Sequence, residues 1–489
     1  MDSHPIFRGL SPVAGFHELE MDIRGSFIWA RKNFSLKLQD PAGQFLFLHI
    51  CYYGDEGKLS IKSGGGASKE IGLRRGWNRY TCELPPREND ILEFEVSKLV
   101  LVPGDSRELG LMIRRIEGLS GRDQFDSCNS FISNQALNEQ EFLAGKTVLQ
   151  SYPTHLRIDI ESRCNIKPPC VYCEWDWFKL NKTSLPLEFD TKFLEKFGRF
   201  YACADELVDC GHGEPLLCRD LNNVINRIVQ DGKHLEITIN GLLLSEEKHS
   251  YFLGKNMNLY VSLDASNALT YARLRTDKFN QLVNNLKSFC KNKKLHNNLP
   301  IVIITFLAMR SNVREFPDLL DLVKEIGVDF VKFRSLGVEG YVKDNVTREG
   351  IQFDYRNELL GYQELLIFSG SARELAKQKG VNLILEEDFV DVSRRQNVPL
   401  CSEPWQSVYL LKRGMAACCF GRQTVTTINA PTRELEDYAR EVFNNQAFQT
   451  IRAALARREL ADYCLKTPSC PIVKKAGCQR LKILREEMR

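Results

Sequence analysis

The segment Cys164-Asn-Ile-Lys-Pro-Pro-Cys-Val-Tyr-Cys173 follows a short run at residues 156–160, in which apolar residues alternate with Arg157 and Asp159. Such a run is typical of a buried β-strand, and the prolines after it predict a loop at the carboxyl end of that strand. From here strand-like and helix-like stretches alternate, which predicts an α/β fold with a parallel sheet. We expect its strands at residues 156–160, 206–210, 235–239, 259–263, 301–307 and 330–333. Six such units predict an open, partial (β/α)6 barrel.

Length and composition limit what the protein can be. A chain of 489 residues is too long for one ordinary domain, and 43% hydrophobic with 26% charged residues excludes a mostly disordered or fibrous protein. A net charge of +3 gives no electrostatic footprint for nucleic acid. No run of 18 apolar residues occurs, and the first residues lack the features of a secretory signal. We therefore predict a cytoplasmic protein without a membrane span or a nucleic-acid partner.

The pattern divides the chain into five parts. Residues 1–118 carry short strand-like runs separated by turn formers, which predicts an all-β sandwich. Residues 119–150 read as a linker with some helix, 151–340 as the partial barrel and 341–395 as a helical connector. Residues 396–489 form a small cysteine-rich region with one long helical stretch at 435–460.

The cysteines indicate metal. A disulfide framework is disfavoured among the sixteen cysteines, because such frameworks belong to short secreted chains. Cys164, Cys170 and Cys173 have the spacing C-x5-C-x2-C on the loop after the first strand of the series. Three thiolates can hold three irons of a [4Fe–4S] cluster and leave the fourth iron open. A structural zinc that takes its fourth ligand from elsewhere is the alternative.

The next three strands also end in polar residues. The second ends in Cys210-Gly-His-Gly-Glu-Pro215, the third in Thr238-Ile-Asn240 and the fourth in Ser262-Leu-Asp264. Taken singly, Asn240 and Asp264 are explained as strand-end caps, Glu214 as a turn residue and Arg275 as a solvated helix residue. Their joint order favours a ligand site at the carboxyl ends of the strands.

Together these motifs resemble those of radical S-adenosylmethionine (SAM) enzymes, over roughly residues 150–480. The family usually spaces its cluster cysteines C-x3-C-x2-C, so this chain carries two extra residues in the loop. The resemblance implies that Cys164, Cys170 and Cys173 hold the SAM-binding [4Fe–4S] cluster. It implies SAM-binding roles for Tyr172, Gly213, Glu214, Pro215, Thr238, Asn240, Ser262, Asp264 and Arg275. Among these, Glu214 would hold the ammonium of SAM and Arg275 its carboxylate.

A second cysteine group resembles the twitch domain, the shortened form of the SPASM extension. It comprises Cys401, Cys419, Cys464 and Cys470, with Cys478 in reserve as the fourth ligand. The resemblance implies one auxiliary [4Fe–4S] cluster. Four thiolates can also close a tetrahedral zinc site, which is the alternative.

The amino-terminal 118 residues resemble β-sandwich modules of bacterial polysaccharide-assembly enzymes. With the cluster motifs, this resemblance implies an oxidoreductase or epimerase that abstracts a hydrogen atom from a sugar, cyclitol or saccharide-linked substrate. A flavodoxin- or ferredoxin-like protein would donate the electron. Cys210 would either give a hydrogen atom to a substrate radical or serve as a structural thiol. The alternatives are a peptide-modifying maturase that forms thioether or carbon crosslinks, and a non-catalytic carbohydrate-binding assembly factor with structural metal.

Overall fold

The structure is a computed structural model of the chain. It describes residues 6–8, 10–22, 24–41, 43–64, 67–100, 105–173, 189–211, 213–336, 346–348, 351–385, 397–411, 414–418, 435–466 and 470–475. The chain forms two compact units, Met1–Ala136 and Leu137–Arg489. Within the described ranges, no helix has both the length and the apolar character needed to cross a bilayer.

The first unit is built on one seven-stranded sheet. Its strands are β1 (Phe7–Arg8), β2 (Leu10–Asp22), β3 (Gly25–Leu38), β4 (Phe45–Lys62), β5 (Ser68–Glu83), β6 (Ile91–Val96) and β7 (Leu111–Leu119). All pairings are antiparallel except that of β1 with β7. Alternating apolar side chains, such as Leu48 and Ile113, form its buried core.

Two long strands close this sheet on itself. Strand β3 pairs with β6 through residues 33–37 and with β7 through 28–30. Strand β4 pairs with β7 through residues 45–51 and with β6 through 59–62. The sequence predicts a sandwich, whereas the described strands share one hydrogen-bonded sheet. The reason is length, because strands of 14 and 18 residues have room for a different partner at each end.

A 22-residue helix, Arg122–Leu143, follows this sheet. It occupies most of the segment 119–150, to which the sequence assigns a linker with some helix. The two compact units divide within this helix, after Ala136.

The second unit is built on a nine-stranded sheet. Its six central strands are β8 (His155–Ile158), β9 (Glu206–Asp209), β10 (His234–Ile239), β11 (Asn258–Ser262), β12 (Ile301–Ala308) and β13 (Phe330–Ser335). The later strands are β14 (Val346–Arg348), β15 (Ile351–Phe353), β16 (Leu383–Leu385), β17 (Ser407–Leu411) and β18 (Gly414–Ala416). The sheet order is β16-β13-β12-β11-β10-β9-β8-β17-β18, and β14 and β15 form a separate hairpin.

Strands β8 to β13 lie side by side in chain order and are all parallel. The sequence predicts each of them to within two residues at either end. Strand β8 pairs on its other side with β17 and β13 with β16, so the described sheet is open. The connections carry the helices Thr191–Glu195, Arg199–Cys203, Leu221–Gln230, Glu246–His249, Ala268–Leu274, Phe279–Lys293 and Phe316–Ile326. Further along lie Tyr355–Glu358, Tyr362–Lys379, Glu403–Gln406, Leu435–Phe443, Gln446–Ala456 and Asp462–Leu465.

The two faces of the parallel strands differ in character. In β10, Leu235, Ile237 and Ile239 are buried in the core that the helices complete, while Glu236 and Thr238 alternate onto the other face. Parallel strands are usually covered on both faces. Thr238 is nevertheless exposed, although β10 has a neighbour on each side. The polar face of the sheet is therefore open at this level.

The cysteine-rich carboxyl-terminal segment belongs to the same sheet as the central strands. Strand β17 runs parallel to β8, and β18 folds back on it as a hairpin. The long helix predicted at 435–460 is wrong, because the structure has two helices, Leu435–Phe443 and Gln446–Ala456. The break lies at Asn445, whose side chain accepts a hydrogen bond from the Phe448 N–H at 3.0 Å and caps the second helix.

A buried arginine fixes this segment to the chain before β8. The Nε atom of Arg452 donates to the Pro404 carbonyl at 2.9 Å, and Nη1 donates to the Thr147 carbonyl at 2.9 Å. Its guanidinium lies 4.5 Å from the centre of the Phe443 ring. Burial lowers the pKa of Arg452 to about 9. Carbonyl groups and an aromatic face compensate for burying this charge.

Candidate active site

Two loops at the carboxyl ends of β8 and β9 meet through their backbones. The Gly213 N–H donates to the Glu161 carbonyl at 3.1 Å, and the Glu214 N–H donates to the Arg163 carbonyl at 2.7 Å. A β-carbon on Gly213 would lie 2.2 Å from the Glu161 oxygen and 2.5 Å from the Arg163 oxygen. Both distances are far inside van der Waals contact, so only glycine allows this approach. The turn after β9 thus sets the path of the chain into Cys164.

The Glu214 side chain is completely buried beneath this turn. Its Oε2 accepts a hydrogen bond from the Asn240 N–H at 2.7 Å, and Oε1 accepts one from the Leu216 N–H at 3.2 Å. Burial raises the pKa of this carboxyl to about 7, while the two N–H donors oppose that rise. Pro215 begins the short 3₁₀ turn Pro215–Leu217, a position where its missing N–H costs nothing. Glu214 therefore joins the end of β9 to the end of β10.

Asn240, directly after β10, connects that strand to the cysteine loop. Its Nδ2 donates to Asn165 Oδ1 at 2.7 Å and to Cys164 Sγ at 3.9 Å. Thr238 is exposed on the open polar face of the sheet, and Ser262 at the end of β11 is half-buried. The structure thus brings Asn240 to the first cysteine and leaves the two hydroxyl groups nearer to solvent.

Asp264, two residues after β11, is the centre of a closed polar group. Its Oδ2 accepts hydrogen bonds from Arg275 Nη1 at 2.7 Å and from the Tyr172 hydroxyl. Arg275 Nη1 also donates to the Tyr172 oxygen at 2.9 Å, and Asp264 Oδ1 accepts from the Leu307 N–H at 2.8 Å. The group joins the cysteine loop, the end of β11, β12 and the end of the helix Ala268–Leu274.

Arg275 is charged although it is buried. Burial alone would favour the neutral form, but Tyr172, Cys170 and Asp264 together hold the pKa of Arg275 well above its usual range. Its Nε atom is buried and makes no hydrogen bond within the described residues, although the Tyr271 hydroxyl lies near the guanidinium. A buried donor without an acceptor costs free energy. An anionic ligand oxygen at that atom would remove the cost.

The cysteine loop is held by backbone hydrogen bonds. The Val171 N–H donates to the Leu274 carbonyl at 3.0 Å, and the Cys173 N–H donates to the Cys170 carbonyl at 2.9 Å. Burial raises the pKa of the Cys164 thiol. Over the ranges that the structure describes, no three Cys, His, Asp or Glu side chains surround a common metal position. The donor set nevertheless fits an iron–sulfur cluster, since three thiols on one anchored loop are the soft ligands it requires.

Cys210 lies at the end of β9 on the side of the carboxyl-terminal hairpin. Its thiol donates to the Ile158 carbonyl at 3.3 Å and packs against Tyr409 and Ala416. A structural thiol explains this position.

The described members of the second cysteine group lie in the same unit. Cys401 and Cys464 pack against the main core, and Cys464 interacts electrostatically with Cys470. Burial raises the pKa of the Cys464 thiol to about 11. Cys419 and Cys478 lie outside the described residues.

The sequence analysis did not identify a largely buried polar network on the same face of the sheet as Thr238. Arg157 Nη1 pairs with Glu206 Oε1 at 2.7 Å. On the neighbouring strands, the Tyr260 hydroxyl and Asn258 Nδ2 donate to Glu236 Oε1 at 3.2 and 3.1 Å. The signal was present, because polar residues occupy alternate positions of strands that would otherwise read as continuously apolar.

Two asparagines were also missed. Asn165 lies within the cysteine motif, and its Oδ1 accepts a hydrogen bond from Asn240 Nδ2. In the sequence, only the cysteines of this motif indicate a function. Asn312 Nδ2 donates to the carbonyls of Asp264 and Leu307, both at 2.9 Å. Asn312 comes from the loop after β12 and carries no motif that marks it in the sequence.

Comparison with curated proteins finds relatives for part of the chain. A probable GTP 3′,8-cyclase of Methanocaldococcus jannaschii is 27% identical over 178 residues, which are 35% of this chain and 55% of the relative. The GTP 3′,8-cyclase of Synechocystis sp. is 29% identical over 203 residues, 39% of this chain and 58% of the relative. The chain thus spans little more than half the length of these relatives. No protein-family model matches it.

Solved structures overlap with more of the chain at lower identity. Streptococcus suis SuiB bound to S-adenosylmethionine is 14% identical, with 78% of each chain covered and a TM-score of 0.46. Native anSMEcpe with bound AdoMet and Cp18Cys peptide is 15% identical, covers 68% of this chain and 99% of that one, and has a TM-score of 0.42.

Proposed function

We propose that this chain is a radical SAM enzyme that binds its cofactors where β8 to β11 end. One observation carries the proposal: hydrogen bonds join the cysteine loop to the turn after β9, to Asn240 after β10 and to Asp264 after β11. Ligand sites of parallel βα folds lie at this edge of the sheet. Four strand ends tied to one three-cysteine loop are what a cluster with an adjacent cofactor requires.

In this proposal Cys164, Cys170 and Cys173 hold the [4Fe–4S] cluster. When bound and reduced by its electron donor, the cluster would supply the one electron that splits SAM into methionine and a 5′-deoxyadenosyl radical, and hydrogen-atom transfer from the substrate would convert that radical to 5′-deoxyadenosine. Glu214 would accept the SAM ammonium through the carboxylate lone pairs that its two backbone N–H donors leave free, and Arg275 would hold the SAM carboxylate. The buried Nε of Arg275 supports this role, because it makes no hydrogen bond within the described residues.

The remaining predicted cofactor contacts follow the same edge of the sheet. Gly213 and Pro215 shape the turn that carries Glu214, and Asn240 presents its amide beside Cys164. Thr238 and Ser262 offer hydroxyl groups on the more open face, suited to the ribose of SAM.

The auxiliary [4Fe–4S] cluster belongs to the same proposal, with Cys401, Cys419, Cys464 and Cys470 as its ligands. Cys464 and Cys470 are close enough to interact electrostatically. Their segment is built on β17, which pairs with β8, the strand that leads into the first cysteine loop. A second cluster here would lie in the same unit as the first and could take an electron from a substrate radical.

For the substrate we propose a sugar, cyclitol or saccharide-linked compound that is oxidised or epimerised. The face of the sheet that carries the exposed Thr238 is polar, and below Thr238 it holds the more buried Arg157–Glu206 and Tyr260–Glu236 contacts. Hydroxyl-rich ligands need such partners. The name of the curated relatives places their reaction at the 3′ position of GTP, a ribose carbon. A cytoplasmic setting with a flavodoxin- or ferredoxin-like electron donor completes the proposal.

The experiment is an anaerobic assay of SAM cleavage by the reconstituted, reduced full chain. It is run with sugar nucleotides, with GTP and with a peptide panel, each deuterated at carbon. Deuterium in the 5′-deoxyadenosine formed with a sugar nucleotide supports the proposal. If the 5′-deoxyadenosine gained deuterium only from GTP or only from a peptide, the proposed sugar substrate would be wrong and that compound class would take its place. If no mixture yielded 5′-deoxyadenosine, the proposal of an enzyme would be rejected in favour of a non-catalytic metal protein.

A further inference from the structure

Three donors of the chain itself bind the buried Asp264 carboxylate. The Asp264 side chain is 1% exposed. Oδ1 accepts the Leu307 N–H, and Oδ2 accepts both Arg275 Nη1 and the Tyr172 hydroxyl. The resemblance assigns Asp264 to the cofactor, whereas its carboxylate faces three donors of the chain itself.

The three donors come from separate parts of the site. Tyr172 belongs to the cysteine loop between Cys170 and Cys173. Arg275 ends the helix Ala268–Leu274, and the Leu307 N–H belongs to β12. Charge-assisted hydrogen bonds are stronger than neutral ones and fix geometry more tightly. One buried carboxylate therefore holds the cysteine loop and the cationic residue in one arrangement.

The contact with Asp264 orients the guanidinium of Arg275. Nη1 is bound to Asp264 and Tyr172, while the buried Nε makes no hydrogen bond in the described chain. A guanidinium has a planar, rigid fork of donors, so fixing Nη1 also fixes the direction of Nε.

We infer that Asp264 is a positioning residue, which aims Arg275 at the SAM carboxylate and ties Tyr172 to the fourth strand, and that it does not contact the ribose. The part concerning SAM rests on the proposed function. The tie between Asp264 and Tyr172 does not, because both residues belong to the chain.

The test compares Asp264→Asn with Ser262→Ala, a matched control at the neighbouring strand-end position that offers a hydroxyl to the ribose. Dissociation constants are measured for SAM, decarboxylated SAM and 2′-deoxy-SAM with the reconstituted full chain. The wild type should prefer SAM to decarboxylated SAM by about tenfold or more, the range of a charge-assisted contact. Asp264→Asn should lose that preference and keep its preference for the ribose hydroxyl. The reverse pattern, with only the ribose preference lost, would overturn the inference.

Hydrogen exchange without SAM separates this inference from the proposed function. In the full chain, Asp264→Asn and Tyr172→Phe should each speed exchange in residues 164–173, and the double variant should add little to either. Ser262→Ala should leave that peptide unchanged. Additive effects, or none, would refute the tie between Asp264 and Tyr172 even if SAM binds. Non-additive effects in a chain that does not bind SAM would keep the tie and reject the proposed function.

Discussion

Gly213→Ala is the substitution that most directly challenges the way the cysteine loop is held. The added β-carbon would lie 2.2 Å from the Glu161 carbonyl oxygen and 2.5 Å from that of Arg163. Both atoms are backbone, so no side chain can rotate away. The turn after β9 and the start of the cysteine loop must move apart by about 1 Å to restore van der Waals contact.

The cost follows from what that movement breaks. The hydrogen bonds from Gly213 N–H to Glu161 and from Glu214 N–H to Arg163 would both be lost, at about 1 kcal/mol each. Overpacking in a closely packed region adds about 1–3 kcal/mol. The substitution therefore destabilises the closed turn by about 3–5 kcal/mol. The equilibrium constant for local opening of this region should rise by at least about a hundredfold.

The assay is hydrogen exchange over residues 161–173, together with iron content after anaerobic reconstitution. Exchange should quicken by at least about a hundredfold, and iron at the first cluster should be lost. The control is Gly370→Ala, because that glycine lies in the helix Tyr362–Lys379 with nothing within 4 Å of the added carbon. The free energy of unfolding of the control variant should rise by about 0.5–1 kcal/mol. Unchanged exchange and full iron in Gly213→Ala would refute the reasoning.

Three further predictions concern other parts of the second unit. Burial, with Asp159 nearby, raises the pKa of Asp209 to about 7 from an ordinary 3.8, so the folded chain holds this proton more tightly than the unfolded chain. As the pH rises from about 4 to about 7, the free energy of unfolding of the metal-free protein should fall by up to about 4 kcal/mol. Urea unfolding should show a smaller fall in Asp209→Asn. Arg452→Met leaves the carbonyls of Pro404 and Thr147 without their donor and should cost about 2–4 kcal/mol in the same assay; an unchanged midpoint would contradict it. A folded Cys464→Ala variant should still release 5′-deoxyadenosine but form less oxidised product per equivalent, and full coupling by chromatography would remove the electron-accepting role of the auxiliary site.

The parallel strands could be predicted from sequence because each is a short stretch of apolar residues, continuous or alternating with polar ones, with a polar group at its end. The same signal located Glu214, Asn240 and Asp264, since residues that end neighbouring parallel strands meet at one edge. That signal does not show what those side chains bind. From the sequence, Asp264 can be interpreted equally well as a cap or as a ligand, and only the structure shows that Arg275 and Tyr172 bind its carboxylate.

The amino-terminal sheet and the carboxyl-terminal segment were harder for a related reason. Alternating residues predict that strands exist and which face is buried, but not which strand pairs with which. The ring of β3, β6, β4 and β7 depends on pairings between strands far apart in sequence. The pairing of β17 with β8 joins residues about 250 positions apart and carries no local signal. The helix break at Asn445 was readable from its capping residue and was missed.

The most direct measurement of the central claim is the release of 5′-deoxyadenosine from SAM by the anaerobically reconstituted, reduced chain. It should be compared with a variant in which Cys164, Cys170 and Cys173 are all alanine. The proposal predicts about eight irons and steady release in the wild type, against about half the iron and no release in the variant. Stoichiometric zinc in a colourless wild-type protein, or equal release by the variant, would contradict it.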